Sequence, residues 1–304
     1  MLSSLLSVEI TIVAKKASRW QTGRLIGRPK KFANAIVMLS KLALNLSLDE
    51  SEIRRRRQQI AQRLMSDSDA IRDINFETIN TQDLFELFAN YDELFFEGQL
   101  ATVFESADHL LKFRLSSRMT STGGMTTYHR SRAKRNAAGR FGRGRRSQPE
   151  SRRHFEIAIS STLLFNTTFE SQRIKVGGVA TFHRLDALQR IFEHELVHLL
   201  EMVVWDDSSC ARWRFKSIAE RFFGHLESNH QLLTPSETAR SEYGITSGDM
   251  VKFHHKGIQL TGVVNSINRR ATVLVASDKS GELFDDNRRY QRFYVPLERL
   301  SRVG

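Results

Sequence analysis

The stretch LDALQRIFEHELVHLLEMVVW, residues 185–205, sets Leu185, Leu188, Phe192, Leu199 and Val203 at the three- and four-residue steps of an amphipathic helix. Within it, His194-Glu195-Leu196-Val197-His198 places two imidazoles four residues apart. Residues i and i+4 of a helix share a face, so both rings reach one metal ion. Glu195 stands beside them, poorly directed as a ligand but placed to hold a metal-bound water. Zinc polarises such a water, and the carboxylate takes its proton as it attacks a peptide carbonyl. With ten histidines in 304 residues, chance supplies about 0.02 such patterns per chain of this length. His194 and His198 are therefore read as metal ligands and Glu195 as the catalytic carboxylate.

A catalytic zinc takes three protein ligands and keeps one position open. Three and six residues beyond His198 stand Glu201 and Val204, which excludes the metzincin pattern of Gly and His. Glu201 lies about 10 Å along the helix from His194, too far to share the ion. A Glu on the following helix, Ala211 to Phe223, is a further source, and Glu220 qualifies by position. His225 and His230 are alternatives.

Composition bounds the classes. The chain is 40% hydrophobic and 26% charged, an ordinary globular mix long enough for about two domains. Its single cysteine, Cys210, excludes a disulfide scaffold and a four-cysteine zinc ribbon. There is no run of about 20 apolar residues for a membrane span, the best candidate (33–46) being cut by Lys41. Residues 1–14 lack a basic start and contain Glu9, so a secretion signal is not expected. These features lead to the expectation of a soluble protein of a reducing compartment, cytoplasmic, or nucleoid or nuclear if bound to DNA.

The net charge of +12 is concentrated. Residues 1–60 carry twelve Lys or Arg against four acids, and residues 130–146 carry eight and no acid, leaving the remainder at −4. Concentrated cations attract polyanions by counterion release, and nucleic acid is the commonest partner. Arg140, Arg143, Arg145 and Arg146 are the candidate nucleic-acid contacts. Gly27-Arg28-Pro29-Lys30-Lys31 has the composition of an AT-hook core, but an ordinary basic linker is the favoured reading of one such pentapeptide.

Residues 1–80 read as a basic helical accessory region, with helices over 33–46 and 51–65. The Arg54–Arg57 run covers every face of one turn and reads as a solvated helix. Leu84, Phe85, Phe88, Tyr91, Leu94 and Phe95 then form an amphipathic helix from Thr81, which Gly98 ends. Strands are expected at 111–118, 125–129 and 155–159, with 130–153 a long, mobile, basic connection. After Pro235, strands at 249–254, 260–267, 272–276 and 290–295 read as a small SH3-like barrel over 241–304. Its Phe253, His254, His255, Arg269, Arg270, Arg289, Tyr290 and Arg292 are candidate contacts to nucleic acid or peptide.

Residues 83–233 resemble the SprT-like metalloprotease family, which includes the Spartan proteases. The resemblance rests on Phe88-Ala89-Asn90-Tyr91-Asp92-Glu93-Leu94-Phe95-Phe96-Glu97-Gly98-Gln99-Leu100, on Ser117-Arg118-Met119-Thr120-Ser121-Thr122-Gly123-Gly124, and on the HELVH helix following in that order. It implies an α+β zincin-like domain at 81–235, helices packed on a small sheet, followed here by the barrel. The family's third ligand is a His just before the next helix, and by position that place holds Cys210. A thiolate at a helix N-terminus has a lowered pKa and binds zinc well, but it makes the ion a weaker Lewis acid. The combined expectation is a zinc-dependent endopeptidase, with proteins attached to DNA as substrates by resemblance. The rival is a non-catalytic DNA- or protein-binding module braced by zinc. Glu195 favours the enzyme, because a purely structural site has no need of that carboxylate.

Overall fold

The computed structural model describes residues 28–130, 153–167, 169, 174–229, 232–277 and 280–303. The chain divides into two compact units: residues to 116, 124–159 and 173–230 form the first, and 117–123, 160–172 and 231–304 the second. This differs from the expected division at 80 and 235. Helix α1 (Arg28–Asn45) buries Ala35, Leu39 and Ala43 on one stripe and packs on α4 (Gln99–Ser106) and α6 (Arg184–Trp205). Helix α2 (Glu50–Asp67) buries Ile53, Ile60 and Leu64 and packs on α3 (Thr81–Phe96). The two N-terminal helices thus belong to the core of the first unit. Arg28–Lys31 open α1 as helix, and Gly27 lies outside the described residues.

Local chemistry accounts for the helix ends. The Asp49 side chain accepts from Glu52 N and caps α2. Asn80, rather than Thr81, caps α3 in a reciprocal box with Asp83. Glu97 and Gly98 both turn left-handed; Gly98 closes α3 by donating to the Asp92 carbonyl and at the same time caps α4. The carboxylate of Asp92 accepts from Leu100 N and Ala101 N at the start of α4. Strands β1 (Leu110–Ser116), β2 (Gly124–Arg130) and β3 (Arg153–Ser160) form a sheet of order β1-β3-β2, which leaves β2 at an edge. β2 and β3 run antiparallel from Gly124↔Ile159 to Arg130↔Arg153, so the basic segment joins paired strands, while residues 131–152 lie outside the described ones.

The arginine run is not simply solvated. Arg54 and Arg55 pair with Glu50 and Glu52 on the helix surface, and Arg56 reaches Glu52 and the Leu94 carbonyl. Arg57 turns inward and grips the completely buried Glu193 of α6 with both ends, at 2.8 and 3.0 Å. Tyr91 OH donates to Glu193 Oε1 at 2.8 Å, and His225 Nε2 lies 2.9 Å from Oε2. Burial works against the charge on Glu193, but Arg57 and His225 outweigh it and hold the carboxyl down at about 2. Burial also lowers His225, which stays neutral and donates its Nε2–H. Phe95, Phe192 and Phe223 pack around Tyr91.

The first unit is completed by the hairpin of β4 (Ile174–Val176) and β5 (Val179–Thr181) and by α7 (Trp213–Phe223). The second holds α5 (Ser161–Asn166) and α8 (Pro235–Tyr243), the latter opened by a Thr234–Glu237 capping box. Its sheet contains β6 (Met250–His255), β7 (Ile258–Ile267), β8 (Ala271–Ala276), β9 (Glu282–Leu283), β10 (Arg289–Val295) and β11 (Ser301–Arg302). The order is β11-β6-β7-β8-β10-β9, and it is not closed into a barrel. Alternation sends Val251, Phe253, Val264, Val273 and Val295 into one core with Ala239 and Ile245. Phe253 is therefore a core residue and not a surface contact. Tyr290 and Arg292 bond to Asp286 and Glu282 within the sheet's own loops. The fold is α+β, and no helix among the described residues is long and apolar enough to cross a membrane.

Removing the Arg57 guanidinium leaves Glu193 buried with neutral partners only. Arg57→Met is expected to cost about 3–5 kcal/mol in urea unfolding, and a loss under about 1 would show that Tyr91 and His225 suffice. His109 gives a pH handle on the same unit. It is packed among Phe32, Phe104 and Phe155, and burial, aided by Arg153, lowers its ring from 6.5 to about 4. The unfolded chain therefore takes up the proton first, so stability present above about pH 6.5 declines as pH falls toward 4. His109→Phe should flatten that decline relative to the parent when both are unfolded in urea across this window.

Candidate metal centre

His194, Glu195 and His198 lie on α6, whose N-cap His183 accepts from Asp186 N and whose C-cap Asp206 turns left-handed. That turn sends the chain off the helix into residues 207–212, and α7 follows. Donor atoms of His194, His198 and Cys210 all lie within 4.8 Å of one another. His194 Nε2 and His198 Nε2 are 3.2 Å apart. Two nitrogens bound to one tetrahedral zinc at 2.0–2.1 Å stand about 3.3 Å apart, so the imidazole pair fits that geometry. Phe215 of α7 packs against both rings, at 4.8 and 4.5 Å between centroids, and limits their rotation. Burial lowers His198 to about 4, against the pull of Glu201, so its ring is neutral and a lone pair is available for a cation.

The Glu195 side chain meets β2. Thr126 Oγ1 donates to Glu195 Oε2 at 2.7 Å and also reaches the Glu195 carbonyl at 3.1 Å. Burial pushes the carboxyl up to about 8, with the Thr126 bonds opposing the rise. A divalent cation alongside would draw it down again. Gly124 makes this arrangement possible. A Cβ built there would stand 2.5 Å from Glu195 Oε1 and 2.7 Å from its Cγ, so any larger residue would displace the carboxylate.

The alternatives for the third donor are elsewhere. His225 is committed to Glu193, Glu220 is exposed on α7, and His230 lies outside the described residues. Among the described residues, Cys210 joins the histidine pair, half-buried at the turn before α7. Arg140, Arg143, Arg145 and Arg146 lie outside the described residues. Thr126, Gly124, Ser208 and Phe215 escaped sequence reasoning as site residues. Gly124 closes the Thr122-Gly123-Gly124 break, whereas Thr126, Ser208 and Phe215 follow no spacing rule. No family model matches the chain, and neither a curated protein nor a solved structure does.

Gly124→Ala is expected to shift the Glu195 carboxylate off Thr126 while the His194 and His198 rings keep their positions. A crystal structure of the variant checks this. An unmoved carboxylate would show that β2 yields instead.

Proposed function

We propose that this chain is a zinc-dependent endopeptidase of SprT-like type. The observation that carries the reading is the convergence of His194, His198 and Cys210 beside a buried carboxylate that takes no part in their cluster. Zinc held by these three residues would supply Lewis-acid polarisation of a water and of the peptide carbonyl it attacks. Glu195, oriented by the hydroxyl and the backbone of Thr126, would accept the proton of the attacking water and return it to the leaving amine. Among the described residues β2 is an edge strand, and an edge suits an extended substrate chain laid alongside as an added strand. The exclusion of water from Glu195 strengthens each of these electrostatic contacts.

The SprT-like assignment draws its support from three sequence segments, which lie on α3 and the start of α4, on the loop that leads into β2, and on α6. The SH3-like reading of residues 241–304 draws on the β6-β7-β8-β10 meander and on the 3-10 turn at Leu297–Arg299, after which β11 returns to pair with β6. Proteins attached to DNA are the proposed substrate class, from the resemblance and from the basic segment between β2 and β3. The Arg54–Arg57 run contributes less to such binding than its charge suggests, because each guanidinium is already paired.

Metal analysis combined with cleavage of a casein-type substrate, with and without duplex DNA, tests the reading. Glu195→Gln should retain zinc and lose cleavage by about 10²–10⁴-fold. Cys210→Ser should weaken zinc retention by roughly tenfold or more, and Cys210→His should preserve it. A metal-free parent, or an active Glu195→Gln protein, would overturn the proposal. Zinc without cleavage would favour the metal-braced binding module.

A further inference from the structure

Glu201 sits one turn beyond His198 on α6 and takes no direct part in the donor cluster, yet its carboxylate is completely buried. Both oxygens are engaged. Arg214 Nε donates to Oε1 at 2.6 Å, and Ser208 Oγ donates to Oε2 at 2.6 Å. Ser208 Oγ also lies 2.7 Å from His198 Nδ1. A hydroxyl has a single hydrogen. With that hydrogen given to a carboxylate already ion-paired to Arg214, the Ser208 oxygen faces His198 as an acceptor. His198 Nδ1 must then carry the ring hydrogen, which leaves the lone pair on Nε2, the atom that faces His194. Arg214 is itself held, its guanidinium 4.4 Å above the Trp205 ring and its Nη2 on the Asp207 carbonyl.

We infer that Arg214, Glu201 and Ser208 form a positioning chain that fixes the tautomer and ring orientation of His198, with Ser208 as the link. Ser208 stands two residues before Cys210 in the same turn. One hydroxyl therefore couples the helix-borne donor to the loop-borne donor, and the turn cannot shift without straining the His198 ring. Metal-bound histidines are generally held through their second nitrogen, and loss of that contact costs about 10–100-fold in metal affinity. Here the carboxylate acts through an intervening serine, because Glu201 is placed by its helix to reach the turn and not the ring.

The inference rests on the metal-centre reading, and two measurements separate them. In competition with a chromogenic chelator, the parent protein should bind zinc, Ser208→Ala should bind it about 10–100-fold more weakly, and Ser208→Thr, which keeps the hydroxyl, should stay near the parent. Failure of the parent to bind zinc would overturn the metal centre itself. A parent that binds while Ser208→Ala binds equally well would overturn the positioning chain alone. Independently of any metal, nitrogen-15 NMR of the metal-free full chain should find His198 protonated at Nδ1. Protonation at Nε2 with a bare Nδ1 would refute the inference even if Ser208→Ala failed to fold.

Discussion

One buried charge organises the first unit. The Glu193 carboxylate has no access to water, and it is met by Arg57 from α2, Tyr91 from α3 and His225 from the turn after α7. Removing a partner from a buried charge costs far more than removing a surface ion pair, so this cluster constrains three neighbouring segments against α6 at once. Successive residues of a helix are rotated by about 100°. Once Glu193 is turned into the cluster, His194 is turned toward Phe215 and the donor group, and Glu195 toward β2. Three consecutive side chains thus divide the circumference of α6 between the buried ion cluster, the His/Cys group and β2. A helix used on all sides is buried on all sides, as residues 185–197 are.

The donor cluster is restrained by packing and by polar contacts together. Phe215 lies against both imidazoles, and the Ser208–Glu201 link approaches His198 from the opposite end of its ring. Preorganisation of this kind removes the conformational cost of gathering ligands at the moment of binding. The carboxylate of Glu195 is treated differently. Thr126 holds it through its hydroxyl and its backbone, beside a glycine, and among the described residues no counter-charge offsets it.

The opposite logic holds for the arginines of α2. A run of four cations reads as a solvated helix, but helix geometry directs each one to a neighbour. Two pair on the exposed face, one reaches the end of α3, and the fourth is drawn into the core by Glu193. Basic sequence and basic surface are therefore separate quantities in this chain.

The five longest helices and most strands were legible because hydrophobic periodicity and capping are local, whereas the short α4, α5 and α8 carried too few turns to show a period. The two histidines and Glu195 were legible for the same reason: an i, i+4 spacing on a helix is itself a statement of geometry. Cys210 came only from the family resemblance, as the residue standing where a His would be expected, and the turn at Asp206 brings it to the histidines. The partner of Arg57 stands 136 residues away, and Thr126 stands 69 residues from Glu195. No local pattern encodes such pairings. Glu201 shows the limit most plainly, for its distance from His194 along the helix follows from the sequence, while its bond to Ser208 depends on where the next loop returns. What a helix presents on one face is written in its own residues, and what meets that face is decided by chain segments that only folding brings together.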